Sequence, residues 1–544
     1  MVSPTTFIPK VLVSWDGSGA FTGPDDDVTP YVVADPGIAI DDGLDGARTL
    51  NRPKVGAVDV VLFNHTGRFS QERADSPLAQ RILPGRPVVV TARHGTSRAY
   101  DSPTAYDAAV FYDGLTTYPL ARTYLDQIEQ ATGLGQQTVT FRTLGTEQLL
   151  LSTTVSVPVT ASVRVDQAIT RVLDAAGWPS DLRSIDVSDT LLSWFWVDER
   201  PPWEVLRDLL AAEGPGLIDI DRTGVFIFEN RHHRTTAARS TAPQATLYDR
   251  RVSPGGIYDA PIAYETKRAY DGGAAATYFT QLGYTPGWEG IYNRATYLTR
   301  RRATGALGVV WTYGAPLALN AGETRTLIAR PTLPYINAVT PALGTDYAVA
   351  GGTVSVTISS SSGLVAFITV TALTGAPTIS GVGASTGLAL RAQPLTVVSE
   401  TTVTNAIDAS SSIATYSPIP GQAIPRVLAV NGWPEVEPIV ASSVCDAWVS
   451  RYMQVRPTVT IEVRNADAEH LRLILATRVS DRLTIIEANT GLADDVWVNA
   501  TRLAIAAPGG VDVRAVFGCE KVEEVSGFTW DGPISTWDSA VWAW

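Results

Sequence analysis

The run LFNHTGRFSQERADSPLAQRILPGRPVVV, Leu62 to Val90, sets His65, Ser70, Glu72, Asp75, Arg68, Arg73, Arg81 and Arg86 between two apolar stretches. These are the side chains of nucleophilic hydrolysis, in which a base within hydrogen-bond reach activates a hydroxyl. The spacing does not supply that reach. His65 stands beside a turn at Thr66-Gly67, and Ser70 follows Phe69 with no GxSxG elbow to expose its hydroxyl. The run reads as a strand, an exposed connector and a short helical turn over PLAQRIL. Pro84-Gly85 then turns the chain into the next strand.

Other candidates are equally thin. Asp25, Asp26 and Asp27, with Asp41, Asp42 and Asp45 further on, offer oxygens to calcium but lack the ligand spacing of a calcium loop. A carboxylate pair for glycoside cleavage cannot be placed by spacing alone. His232 and His233 have no third ligand nearby, and YDGGAAATY lacks the Lys-Ser/Thr of a phosphate loop. Cys445 and Cys519 stand alone, without CxxC or a Cys/His cluster. No catalytic, cofactor-binding or metal-binding residue is assigned. The segment GFTWDGPISTWDSAVWAW is richer: Trp530, Trp537, Trp542 and Trp544 fall within fifteen residues, and clustered aromatics mark binding surfaces. These four are the expected partner anchors. Docking on another subunit or protein, stacking on sugar, and packing on the chain itself all remain open.

The elements that must position such groups are mostly strands. The chain has 544 residues, 45% apolar and 18% charged, too long for one core and too apolar for disorder. Alternating segments such as KVLVSW, VDVVLF, RPVVVTAR, AAVFYDG and QTVTFRTLG, each bounded by turn residues, predict a mainly β, multi-domain protein. Residues 1–150 form a first β barrel or sandwich. Residues 151–240 form an α+β unit, with helices in ASVRVDQAITRVLDAAGWP and PPWEVLRDLLAAEGPG and a hairpin in LIDIDRTGVFIFENR. Residues 241–311 and 396–525 form a second β region, which includes a helix with Val440, Val444, Trp448 and Met453 along one face. Between them, 312–395 reads as an inserted β sandwich, with no charged residue from Gly351 to Leu390. Residues 526–544 are the Trp-rich arm. No signal peptide and no membrane span is expected, so the protein is expected to be made in a cytoplasm. A net charge of −13 argues against general nucleic-acid binding, and fits a channel wall along which nucleic acid slides.

Several motifs, in order, resemble a known family. WDGSGAFTGPDDDVTPYV, then GARTLNRPKVGAVDVVLFNHTGRFSQERADSPLAQRILPGRPVVVTAR, then VFYDGLTTYPLARTYLDQIEQ are similar to the opening of minor tail proteins of long-tailed phages infecting actinobacteria. Gln71 stands where that family often has proline. The likeness continues in WEVLRDLLAAEGPGLIDIDRTGVFIF, in LRAQPLTVVSETTVTNAIDASSSIATYSPIP and in DRLTI. It implies tandem β-barrel hub domains like those of contractile-tail baseplate hubs, in a homotrimer closing the tail tube below the distal tail protein. It also implies contacts with the tape measure protein and with tip or receptor-binding proteins, DNA passing without specific binding, no enzymatic activity and no cofactor. The place implied is the tip of the virion tail, after assembly in the host cytoplasm. Two other readings stay open: a receptor- or carbohydrate-binding module using the Trp-rich arm or the inserted domain, and a hydrolase of cell-wall or capsule glycans.

Overall fold

The computed structural model describes residues 5–35, 37–44, 54–96, 115–133, 136–249, 277–362, 364–487, 491–506 and 512–522. The fold is mainly β. It opens with β1 (Thr5–Val13), β2 (Ile38–Gly43), β3 (Ala57–Phe63), β4 (Pro87–Thr96), β5 (Thr116–Gly133) and β6 (Gln136–Gly145). Alternation sets the inner face: in β3, Val58, Val60 and Leu62 are buried while Asp59 and Phe63 are exposed. The order is β1-β4-β5-β6-β3-β2, antiparallel throughout. The remaining gap is crossed by residues 26–33. Val13 N–H donates to the Asp26 carbonyl at 2.8 Å, Val28 N–H to that of Val11 at 3.1 Å, and Val33 N–H to that of Val61 at 2.9 Å. Trp15 and Phe69 meet Phe141 edge to face at 5.9 and 5.5 Å in the centre of this barrel.

The run from Leu62 to Val90 closes one end of it. Phe69, Leu78 and Ile82 are buried in the barrel core, and Asn64 Oδ1 accepts the Phe69 N–H at 2.9 Å. The helical turn expected at PLAQRIL is instead a series of tight turns. Ala79 and Arg81 donate to the carbonyls three residues back, and Gln80 sits at φ 65, which no helix accommodates.

An α+β unit follows: a short helix Glu147–Ser152, β7 (Val155–Arg164), helix Val165–Ala175, β8 (Arg183–Ile185), β9 (Leu191–Arg200), helix Pro202–Glu213, β10 (Leu217–Ile220) and β11 (Phe226–Glu229). Pro202 starts its helix at a position that needs no N–H, and Gly214, at φ 116, ends it. The expected hairpin is β10–β11. Its turn is held by Asp221 Oδ1, which accepts the N–H groups of Thr223 and Val225 at 2.8 and 3.0 Å. The two long helices bury Ile169, Val172, Leu173, Leu206 and Leu209 over Phe226 and Phe228.

Two single-turn helices lead to β12 (Pro243–Tyr248), then β13 (Thr277–Tyr278) and β14 (Gln281–Thr285). Next come β15 (Arg294–Thr304), β16 (Gly308–Thr312), β17 (Leu317–Ala318), β18 (Thr324–Ala329), β19 (Tyr335–Val339), β20 (Ala348–Ser362), β21 (Val365–Ser380), β22 (Ala389–Thr404) and β23 (Val427–Val430). Strands β17, β18, β20 and β21 form one sheet, and β16 and β19 pair with β22 in another. Both contribute to a single core with Leu327, Tyr335, Ile368, Val370 and Leu390. Strand β22 changes partners at residues 394 and 395: up to Pro394 it pairs with β16 and β19, and from Leu395 opposite Thr304 to Thr404 opposite Thr296 it pairs with β15. The helix Pro438–Tyr452 joins the core of the α+β unit, presenting Ala441, Val444, Cys445, Trp448, Val449 and Tyr452. That face is rotated from the one expected, and Val440 and Met453 lie at its margin.

The last strands are β24 (Thr458–Arg464), β25 (Arg482–Ile486), β26 (Ala493–Ala506) and β27 (Asp512–Lys521). With β12 to β14 they form a second barrel. Residues 277–285 act as one bent strand, with Phe279 N–H bonded to the Tyr248 carbonyl at 3.2 Å and Thr280 N–H to that of Glu462 at 2.7 Å. The circuit therefore runs β12-β25-β26-β27-β24-β14/β13 and back to β12. Counted along the chain within each barrel, both have the order 1-4-5-6-3-2. The helix Ala468–Ala476 lies where the Leu62 to Val90 run lies in the first barrel, between the third and fourth strands, and buries Leu471, Ile474 and Leu475. Among the described residues no helix is long and apolar enough to cross a membrane.

Candidate functional site

The barrels are joined edge to edge. Strand β26 pairs along one whole side with β27; on its other side its first half pairs with β25, up to Arg482 opposite Trp497, and its second half with β2. Ile38 stands opposite Ile505, Ile40 opposite Leu503 and Gly43 opposite Ala500, so one sheet of 13 strands runs through both barrels. Gly37, just before β2, sits at φ 65, and a Cβ there would run into the Ile505 carbonyl oxygen.

Charge is buried around this seam. From the β10–β11 turn Arg222 lies 3.8 Å from Asp42, and donates to the Leu475 carbonyl at 3.1 Å and to Thr501 Oγ1 at 3.3 Å. It thereby ties the α+β unit to both barrels. Burial pushes the Glu147 carboxyl up to about 8 and raises those of Asp42 and Asp219, with Asp42 and Glu147 adding repulsion at Asp219. Asp42, Asp219, Asp221, Arg222 and Glu229 line a cavity of about 200 Å³ at this junction.

A second cluster centres on Glu520, which is fully buried. Arg456 Nη1 reaches it at 2.8 Å, Arg451 Nη2 at 3.3 Å and Asn499 Nδ2 at 3.3 Å, with Arg234 3.9 Å away. Burial raises this carboxyl, but the three guanidinium groups outweigh it and hold it at about 2. Arg451 also lies over the rings of Tyr452 and Trp497, at 5.6 and 5.9 Å. Arg234 bonds Ser480 Oγ and Asn499 Oδ1 at 3.2 and 2.8 Å, so the second barrel, the α+β unit and the Pro438–Tyr452 helix share one network.

The side chains singled out for chemistry are engaged apart from one another. His65 stacks on Phe63 at 5.4 Å, while the Ser70 hydroxyl accepts from Asn64 Nδ2 at 3.1 Å and donates to Gln130 at 3.3 Å. Asp25 pairs with Arg68 at 2.5 Å, Asp27 with Lys10 at 3.6 Å and Asp41 with Lys54 at 2.6 Å, while Asp26 accepts the Gly23 N–H at 2.7 Å. His233 sits between Asp186 at 2.7 Å and Glu229 at 3.3 Å, and His232 lies 3.1 Å from Asp189. Cys445 and Cys519 are buried free thiols in different cores, and burial pushes that of Cys445 up to about 12. Among the described residues no three His, Cys, Asp or Glu side chains are grouped to hold a metal. Trp530, Trp537, Trp542 and Trp544, like Asp45, lie outside the described residues. Sequence reading missed Glu520, Arg222 and Arg234. The one signal available was their charge inside or beside apolar strands.

No protein-family model matches the chain, and no curated protein matches it. Solved structures do. The chain is similar to the tail protein from Neisseria meningitidis MC58, at 9% identity and TM-score 0.45, over 94% of this chain and 96% of that one. It is similar to the 43 kDa tail protein of prophage MuSo2 from Shewanella oneidensis, at 11% identity and TM-score 0.44, over 94% and 98%. A third is an E. coli type VI secretion component, itself structurally similar to T4 bacteriophage tail proteins, at 7% identity and TM-score 0.36, over 95% and 77%. The first two carry the name tail protein, and none of the three comes from an actinobacterium or its phage.

Proposed function

We propose that the chain is a structural hub of a phage tail tip. Three copies close around the tail axis at the distal end of the tube, hold the distal tail and tape measure proteins on one side and tip or receptor-binding proteins on the other, and leave an axial exit for DNA. The observation that carries this reading is the pair of six-stranded barrels with one strand order, fused by β2 and β26. Two like modules per chain and three chains give six modules, which lets a threefold part meet a sixfold tube with one repeated type of contact. The net charge of −13 disfavours retention of phosphate backbone in the channel. We assign the first six strands to one hub barrel, and β12 to β14 with β24 to β27 to the other. Trp530, Trp537, Trp542 and Trp544 are proposed as anchors for a neighbouring tail protein. In this reading the protein belongs to the virion tail tip and is assembled in the host cytoplasm.

Light scattering and negative-stain imaging of the purified chain test the reading. A ring of three copies with an opening of roughly 20 Å, the width a duplex needs, is expected; a monomer at every concentration tried would count against it. Removing residues 528–544 should weaken binding of a tail partner with the ring intact, and lost glycan binding instead would make the arm a receptor module. One observation favours a second reading, glycan hydrolysis: the raised carboxyls of Asp42 and Asp219, which line one cavity. Cell-wall glycan cleavage that disappears in Asp219→Asn would establish it.

A further inference from the structure

The two barrels differ at one edge, and their alignment can be followed hydrogen bond by hydrogen bond. In the first barrel, Gly85 N–H donates to the Leu125 carbonyl at 2.7 Å and Leu125 N–H to the Arg86 carbonyl at 2.8 Å. In the second, Ser480 N–H donates to the Val498 carbonyl at 2.8 Å and Val498 N–H to the Asp481 carbonyl at 2.9 Å. Leu125 and Val498 are therefore equivalent. Each is followed by a bulge against the sixth strand, between Leu125 and Gln127 and between Val498 and Ala500. Past the bulge the barrels part company. Strand β26 takes β2 on its open side, whereas β5 from Gln127 to Gly133 pairs only with β6 among the described residues.

The complementary edge is in the second barrel. Val60 opposite Phe141 matches Ile461 opposite Phe517, and Ile38 opposite Val60 matches Leu282 opposite Ile461. Strand β14 is thus the counterpart of β2. Where β2 lies between β3 and β26, β14 pairs with β24 alone among the described residues. Its Tyr284 stands at the position of Ile40, yet is 45% exposed where Ile40 is 5% exposed. Open strand edges bind strands, so two such edges at equivalent places need an account.

We propose that β14 of one copy adds antiparallel to the open length of β5 of the next copy, repeating between chains the β2–β26 seam made within each chain. Transferring that register sets Leu282 opposite Thr132, Gly283 opposite Ala131, Tyr284 opposite Gln130 and Thr285 opposite Glu129. The contact is head to tail, so internal and inter-copy seams alternate and the chain of barrels can close on itself. The partner, a second copy of this chain, follows from the two edges; closure at three copies rests on the hub reading above.

The test uses full-length chains carrying Ala131→Cys, Gly283→Cys or both, treated with a short bis-thiol cross-linker. Both positions are exposed, a Cβ at Gly283 would make only ordinary contact with Thr460 Cβ at 3.5 Å, and the natural thiols are buried. Each single variant alone should stay unlinked, an equal mixture of the two should give linked dimers, and the double variant should give linked trimers. Asp126→Cys combined with Gly283→Cys lies off register and should not link. Light scattering of the untreated chain separates the failures. A trimer that gives no cross-link overturns the edge pairing and leaves the hub standing. Linked species that run on past three keep the seam and overturn the trimer. A monomer without cross-links overturns both.

Discussion

The first and second barrels share an order of pairing and little else. Their first strands lie in the same place but run in opposite directions: β1 is antiparallel to β4, and β12 is parallel to β25. One barrel is completed by the loop 26–33, the other by a strand that changes partners at Phe279 and Thr280. One is plugged by turns and the other by a helix. What survives is the inward alternation, with Val58, Val60 and Leu62 answering Val459, Ile461 and Val463, and a phenylalanine at the same register position, Phe141 and Phe517. A barrel of this order is specified by which faces are apolar and which neighbours pair, and tolerates either solution for its ends.

The comparison is broken most severely at those phenylalanines. If the barrels are equivalent units, Phe141→Ala and Phe517→Ala should each lose roughly 3–5 kcal/mol, as filled aromatic core sites do, read as a shift of the denaturant midpoint. A small loss at one site alone would show that the units bear load differently. Next is Glu520, whose counterpart in β6 is the half-buried Leu144. Glu520→Ala strands three arginines in the interior and should cost roughly 3–5 kcal/mol, whereas Leu144→Ala should cost about 1 kcal/mol. The pH dependence follows from the sign of the shift. Glu520 titrates near 2 in the folded chain against 4.5 ordinarily, so its contribution is present above about 4.5 and fades as pH falls toward 2. Glu147 is the opposite case. Its folded value near 8 gives stability that is complete below 4.5 and lost as pH rises toward 8, so Glu147→Gln should gain on the order of 1–3 kcal/mol at pH 7 and flatten the profile between those limits.

These differences also explain what could be read from the sequence. The first barrel was legible because VDVVLF, RPVVVTAR and QTVTFRTLG each alternate and lie close together in the chain. The helices Val165–Ala175 and Pro202–Glu213 announced themselves by period and by Pro and Gly at their ends. The second barrel was not legible as a unit, because the linking sheet, the inserted strands and a helix of the other core lie between β14 and β24. Alternation says which face of a strand is buried, but not against which distant strand. For the same reason Glu520 looks like an outward charge until the Pro438–Tyr452 helix and Arg234 close over it. The double allegiance of β26 was likewise invisible, since nothing in one strand says that its two halves pair with different neighbours. AAVFYDG, expected as a strand, lies outside the described residues.

The smallest expected effect concerns the two plugs. Asn64 and Asn465 are equivalent: each donates its N–H to the sixth strand, at 2.8 Å to the Gln137 carbonyl and 3.1 Å to that of Val513. From there the paths diverge. Asn64 uses its own side chain to hold the turn at Phe69, while in the second barrel Asp467 caps the helix, accepting the Glu469 and His470 N–H groups at 3.0 Å each. A helix cap and a turn-holding amide satisfy backbone donors in the same way, so Asp467→Ala and Asn64→Ala should each cost about 1–2 kcal/mol in chemical denaturation. Should the cap matter and the amide not, the first plug is held by Phe69, Leu78 and Ile82 alone. Shortening its polar connector would then be tolerated, whereas shortening the helix would not.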